Sequence, residues 1–126
     1  MEIHFFNTSV AVSSSASLVI EWQLPYITVR ELIYEKVMHE INWMNDNRKL
    51  LPTGLVQPTN VDTWLNKTMK GAYSPLQFHE HFHLVLQRYW QHNFTVSVNQ
   101  VQYALDEPIP VNEKLTVLFI KLIKFF

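Results

Sequence analysis

Leu115-Thr116-Val117-Leu118-Phe119-Ile120-Lys121-Leu122-Ile123 is the stretch whose reading decides the fold. It is rich in β-branched and aromatic residues and apolar on both parities, which suits an interior strand with neighbours on either side. A buried helix is the competing reading, but the run has no cap and follows proline-rich punctuation, and both favour a strand. Upstream, Phe94-Thr95-Val96-Ser97-Val98 alternates large apolar with small polar residues, the period-two pattern of a half-buried strand. Asn99-Gln100 interrupts the pattern and Val101-Gln102-Tyr103-Ala104-Leu105 resumes it, so Phe94 to Leu105 is predicted as an antiparallel hairpin. Asp106-Glu107-Pro108-Ile109-Pro110 is predicted as a crossing loop, because its prolines lack the backbone donor a ladder needs.

At the other end of the chain, Ile3 and Phe5 share one parity while Val10 and Val12 share the other. This predicts a strand with a slip or break near Asn7-Thr8-Ser9. The polar run Ser13-Ser14-Ser15-Ala16-Ser17 leads to a second strand, Leu18 to Leu24, with Leu18, Ile20, Trp22 and Leu24 on one face and Pro25 as its stop. An N-terminal hairpin is the expected result.

Between these β regions the period changes. Thr28-Val29-Arg30-Glu31 has the spacing of a capping box. After it, Val29, Leu32, Ile33, Val37, Glu40/Ile41 and Met44 form one stripe at helical spacing, which predicts the core helix up to the Asn45-Asp46-Asn47 cluster. A short helix is predicted from Thr59 or Asn60 to Met69 with Gly71 as its terminator, and another from Ser74, with Pro75 at its first position, to about His92. Phe78, Phe82, Val85 and Tyr89 are its expected core side, extended by Leu86 and Trp90.

The chain of 126 residues, without repeats, is expected to be one domain over 1–126 with room for a substantial core. Ten basic residues against eleven acidic ones, scattered rather than clustered, leave no electrostatic footprint for nucleic acid. There is no cysteine, so disulfides, thiolate metal sites and a cysteine nucleophile are excluded. No run approaches the roughly 20 apolar residues of a spanning helix, and no signal pattern opens the chain; a cytoplasmic protein away from the membrane is the expectation.

His79-Glu80-His81-Phe82-His83 satisfies the H-E-x-x-H pattern, which on a helix sets His79 and His83 on one side to share a zinc, with Glu80 as base. No third ligand is evident and the extended pattern fails at Leu86 and Tyr89. A histidine-rich exposed flank is therefore the preferred reading, with no metal or other cofactor, and the small zinc hydrolase is the alternative. Asp106-Glu107 fits a turn, and the serine run fits a linker, since no nucleophile-elbow glycines surround it. Trp22, Trp43, Trp64 and Trp90 are expected in the core, and two glycines leave no phosphate-cradling loop.

In order, the hairpin, the helix opening Ile27-Thr28-Val29-Arg30-Glu31-Leu32-Ile33, the loop Gly54-Leu55-Val56-Gln57-Pro58, the strand and turn before Asp106-Glu107, and the closing apolar strand resemble the ubiquitin-like β-grasp. They resemble in particular a group of small bacterial ubiquitin-like proteins. The resemblance implies an α+β fold: a mixed sheet of four to five strands around a core helix, with the last strand central and the helices of about 59–92 as an insertion. It also implies a place in a bacterial conjugation or carrier system, with an adenylating or conjugating enzyme as partner. In that group the last strand leads to Gly-Gly; here Ile123-Lys124-Phe125-Phe126 follows Leu122, and phenylalanine side chains would clash in the narrow channel that a glycine tail enters. The expected function is thus non-catalytic protein-protein contact rather than activation of the tail. Since only one parity of the last strand can lie under the core helix, the other is expected to be a contact surface. Leu118, Ile120 and Leu122 are assigned to it, with Phe125 and Phe126 joining at its end. A second copy of the chain, making it a structural or regulatory oligomer subunit, is the remaining alternative.

Overall fold

A computed structural model describes residues 1–8, 18–49, 51, 54–56, 71 and 75–122. Among them the architecture is mixed α+β. A four-stranded mixed sheet is built from β1 (Glu2–Thr8), β2 (Leu18–Glu21), β4 (Phe94–Val98) and β6 (Leu115–Lys121), in the order β2-β1-β6-β4. A two-stranded ladder joins β3 (Tyr26–Ile27) to β5 (Ile109–Pro110), and two helices, α1 (Val29–Asn47) and α2 (Phe78–Trp90), complete it.

As its two-sided apolarity predicts, β6 is interior. It runs parallel to β1, with Ile3 opposite Leu115 and Phe5 opposite Val117, and antiparallel to β4, with Val96 opposite Phe119. β2 returns antiparallel on the far side of β1. Side chains alternate across a strand, so Ile3, Phe5, Leu115, Val117, Phe119, Val96 and Val98 all bury on one face. Phe5 and Phe119 stack there with ring centroids 5.8 Å apart.

α1 lies against this face. Its N-terminus is the predicted capping box: Thr28 Oγ1 accepts the Glu31 amide at 3.2 Å, and Glu31 Oε1 accepts the Thr28 amide at 3.0 Å. Val29, Leu32, Ile33, Val37, Ile41 and Met44 are all buried, as their spacing requires. Burial of each such side chain is worth about 1.5–3 kcal/mol. The helix ends at Arg48, whose φ of 54° is left-handed and whose amide bonds Met44 O at 2.7 Å.

Several boundaries differ from those the sequence predicts. The hairpin expected over Phe94 to Leu105 exists only at its turn. Asn99 and Gln100 have φ of 48° and 69°, the signature of a type I′ turn, and Val98 and Val101 exchange both backbone bonds across it. Beyond Val101 no second arm forms, because the chain leaves to dock on the start of α1, where Leu105 is buried and its carbonyl accepts the Arg30 amide at 3.0 Å. The expected crossing loop contains β5 instead. Proline is tolerated in so short a ladder because Val111, next in sequence, supplies the amide that Pro25 O accepts at 2.9 Å.

β2 stops at Glu21, not Leu24: the Trp22 amide donates to Met1 O at 3.0 Å as the last bond along this edge, and Leu24 is 60 % exposed. β1 continues through Asn7 and Thr8 in register with β6, so no slip occurs up to Thr8, while Ser9, Val10 and Val12 lie outside the described residues. α2 begins at Phe78 rather than at Ser74. The Asn45 side chain on α1 holds both backbone groups of Leu76, at 2.8 and 3.2 Å, so that stretch is committed to α1 before the helix starts. The helix expected over 59–69, the cap Ser74 and the serine run 13–17 lie outside the described residues.

Candidate functional site

The face of the sheet opposite α1 carries the even-numbered residues of β6. On it Phe6 and Ser97 flank Leu118, His4 flanks Thr116, and Thr95 flanks Ile120. Val19 on β2 extends the row of His4. Leu118 and Ile120 are half-buried, Val19 is 46 % exposed and Leu122, just past the strand, is 48 % exposed. Leu122 is held beside the end of α2 through its amide, which donates to Asn93 O at 3.0 Å. Leu118, Ile120 and Leu122, assigned to a contact surface, are thus on the side away from α1. Phe125 and Phe126 lie outside the described residues.

The histidines of α2 separate by angle. At roughly 100° per residue, His79 and His83 fall about 40° apart while His81 points away from both. Accordingly His79, Glu80 and His83 are exposed, whereas His81 is only 5 % exposed. The predicted exposed flank therefore needs correction at His81, which shares the inward side with Val85. Burial lowers its pKa; Glu80 opposes the shift and Arg88 reinforces it. His83 Nε2 lies 3.4 Å from the Gln87 side-chain nitrogen. Among the described residues no group of three or more His, Cys, Asp or Glu side chains is placed to hold a metal ion.

A second polar constellation lies in the core; the stripe places position 40 inward, but sequence reasoning missed Lys36 and the pairing. Lys36 and Glu40, one helical turn apart inside the apolar stripe of α1, are 1 % and 0 % exposed and pair at 2.9 Å. Glu40 also accepts the Leu55 amide at 3.0 Å and the Val56 amide at 2.8 Å, while Arg88 on α2 donates to Leu55 O at 3.1 Å. The loop Gly54-Leu55-Val56 is clamped between the helices by charge. Gly54 is required by this approach, for a Cβ there would come within 2.5 Å of Glu40 Oε1. With both carboxylate oxygens engaged, Glu40 serves as an anchor rather than a base. The available signal was a Lys and Glu four residues apart in an otherwise apolar stripe.

The other candidates are structural. Arg30 grips Asp106 through two hydrogen bonds of 2.8 and 3.0 Å, which lower the Asp106 pKa, and Glu107 accepts the Ala104 amide. Trp22 and Trp43 pack against the core, Trp64 lies outside the described residues, and Trp90, expected in the core, is 62 % exposed at the end of α2. No helix among the described residues is long and apolar enough to cross a membrane. No family model, curated protein or solved structure matches the chain.

Proposed function

We propose that this chain is a ubiquitin-like β-grasp protein that acts without chemistry of its own, by contact with other proteins through the sheet face opposite α1. The observation that carries the reading is the order β2-β1-β6-β4, with β1 and β6 parallel at the centre and α1 following the β1–β2 pair onto one face. That arrangement leaves the Leu118, Ile120 and Leu122 side of β6 without α1 upon it. Apolar side chains grouped on a sheet face are the usual mark of a protein contact. A bacterial ubiquitin-like conjugation or carrier system is the setting this reading implies, in the cytoplasm, with an adenylating or conjugating enzyme as the partner class. Self-association through the same face is the oligomer form of the proposal.

The test is affinity capture with the immobilised chain, comparing wild type with Ile120→Lys and with Asn42→Lys on the exposed side of α1. A partner retained by wild type and Asn42→Lys but lost with Ile120→Lys supports the proposal. Equal retention by all of them rejects it.

A further inference from the structure

We propose that His79 and His83 form an open, reversible two-imidazole site for a borderline divalent transition metal on the solvent side of α2. This differs from a zinc hydrolase centre, because it needs neither a third protein ligand nor a base. It is independent of the proposed contact function.

Both residues are exposed, and they sit one turn apart on a regular helix that runs from Phe78 to Trp90. Helix positions four apart bring their Cβ atoms to about 5–6 Å, a span across which two imidazoles can converge on one ion at about 2.0–2.1 Å. The third histidine of the cluster does not compete, since His81 faces the core. His79 is braced by Phe78, whose ring meets it edge to face at 5.4 Å. His83 is braced by Gln87, whose side-chain amide nitrogen lies 3.4 Å from Nε2. An amide nitrogen only donates, so in that pairing Nε2 is the lone-pair atom and the ring proton sits on Nδ1. That lone pair accepts from Gln87 in the metal-free chain, and a metal would take it in place of the Gln87 donor. Glu80, three residues before His83 on the same helix, is at a spacing from which a carboxylate could receive the remaining imidazole proton once a metal is bound. Imidazole ligands select nickel, copper and zinc over magnesium or calcium, with copper favoured by the general order of divalent affinities.

The experiment is calorimetric titration of the tag-free chain with Ni2+ at pH 7.5, and with Mg2+ as control. The site predicts one Ni2+ per chain and no Mg2+ heat. His79→Ala and His83→Ala should each weaken Ni2+ binding by about tenfold or more, the scale on which even outer-shell changes act. His79→Ala combined with Gln87→His should restore it, because residues 83 and 87 then repeat the one-turn spacing. Absence of Ni2+ binding, or binding that survives both alanine changes, overturns the proposal, as does failure of the rebuilt pair to recover affinity.

Discussion

The two faces of β6 have almost the same hydropathy and opposite fates. Leu115, Val117 and Phe119 are at most 2 % exposed beneath α1, while Leu118 and Ile120, one position along, are only half-buried and Leu122 is 48 % exposed. Composition therefore does not decide which side of this strand becomes core; the placement of α1 does. The same helix then brings a lysine and a glutamate into the interior, while leaving apolar side chains of the sheet on the far side.

This contrast can be broken most severely from the α1 side. Val37→Asp sets an unpaired carboxylate into the fully buried seam, and the chain is expected to lose its cooperative melting transition, a cost of at least about 4 kcal/mol. Native-like circular dichroism and melting would show that the face is misassigned. Glu40→Ala comes next. It strands the Lys36 ammonium and two loop amides together, and should cost about 3–5 kcal/mol in a denaturant titration. Phe119→Ala should lose a comparable amount through the cavity it leaves, whereas Ile120→Ala on the other face should cost less than half as much. Equal losses at 119 and 120 would erase the distinction between the faces.

How much of this was legible depends on whether local chemistry and tertiary packing agree. Around α1 they do: Thr28 and Glu31 mark the start, and the stripe from Val29 to Met44 names the buried face. For β6 the period gave an interior strand but not which parity would be covered. Lys36 was illegible as a core residue because alone it reads as solvated; position 40 lay on the stripe beside Ile41, but the pairing and the Leu55 and Val56 amides that make the burial tolerable could not be read from spacing. His81 was hidden by its exposed neighbours, since its inward angle matters only once the helix has a side to face. The second arm after Val101 failed for the converse reason: its alternation was real, but Leu105 had a better partner at the start of α1.

A smaller effect is expected from pH. Burial lowers the pKa of His81 and of His39, with Lys36 adding to the shift at His39. A histidine depressed in the folded state takes up its proton first in the unfolded state, so stability is full above about pH 6.5 and declines as pH falls from there toward the folded value. Melting temperature should therefore drop between pH 7.5 and 5.5, and His81→Leu should flatten that slope. Asp106, depressed by Arg30, acts in the same direction but at the lower pH of carboxylates, outside this window. An unchanged slope in the variant would place the pH response elsewhere.

The smallest effect on stability is expected on the face proposed for protein contact. Leu118→Lys should alter folding by less than about 1 kcal/mol, because its side chain stands on the face away from α1. The most direct measurement replaces Leu118 with a photo-reactive benzoylphenylalanine and, in a parallel chain, makes the same change at exposed Asn42 on α1. After irradiation in the cell, the account predicts a discrete cross-linked species, to a partner or to a second copy, from position 118 and none from position 42. Cross-links from both positions alike, or from neither, would contradict the assignment of the outer sheet face as the surface through which this protein works.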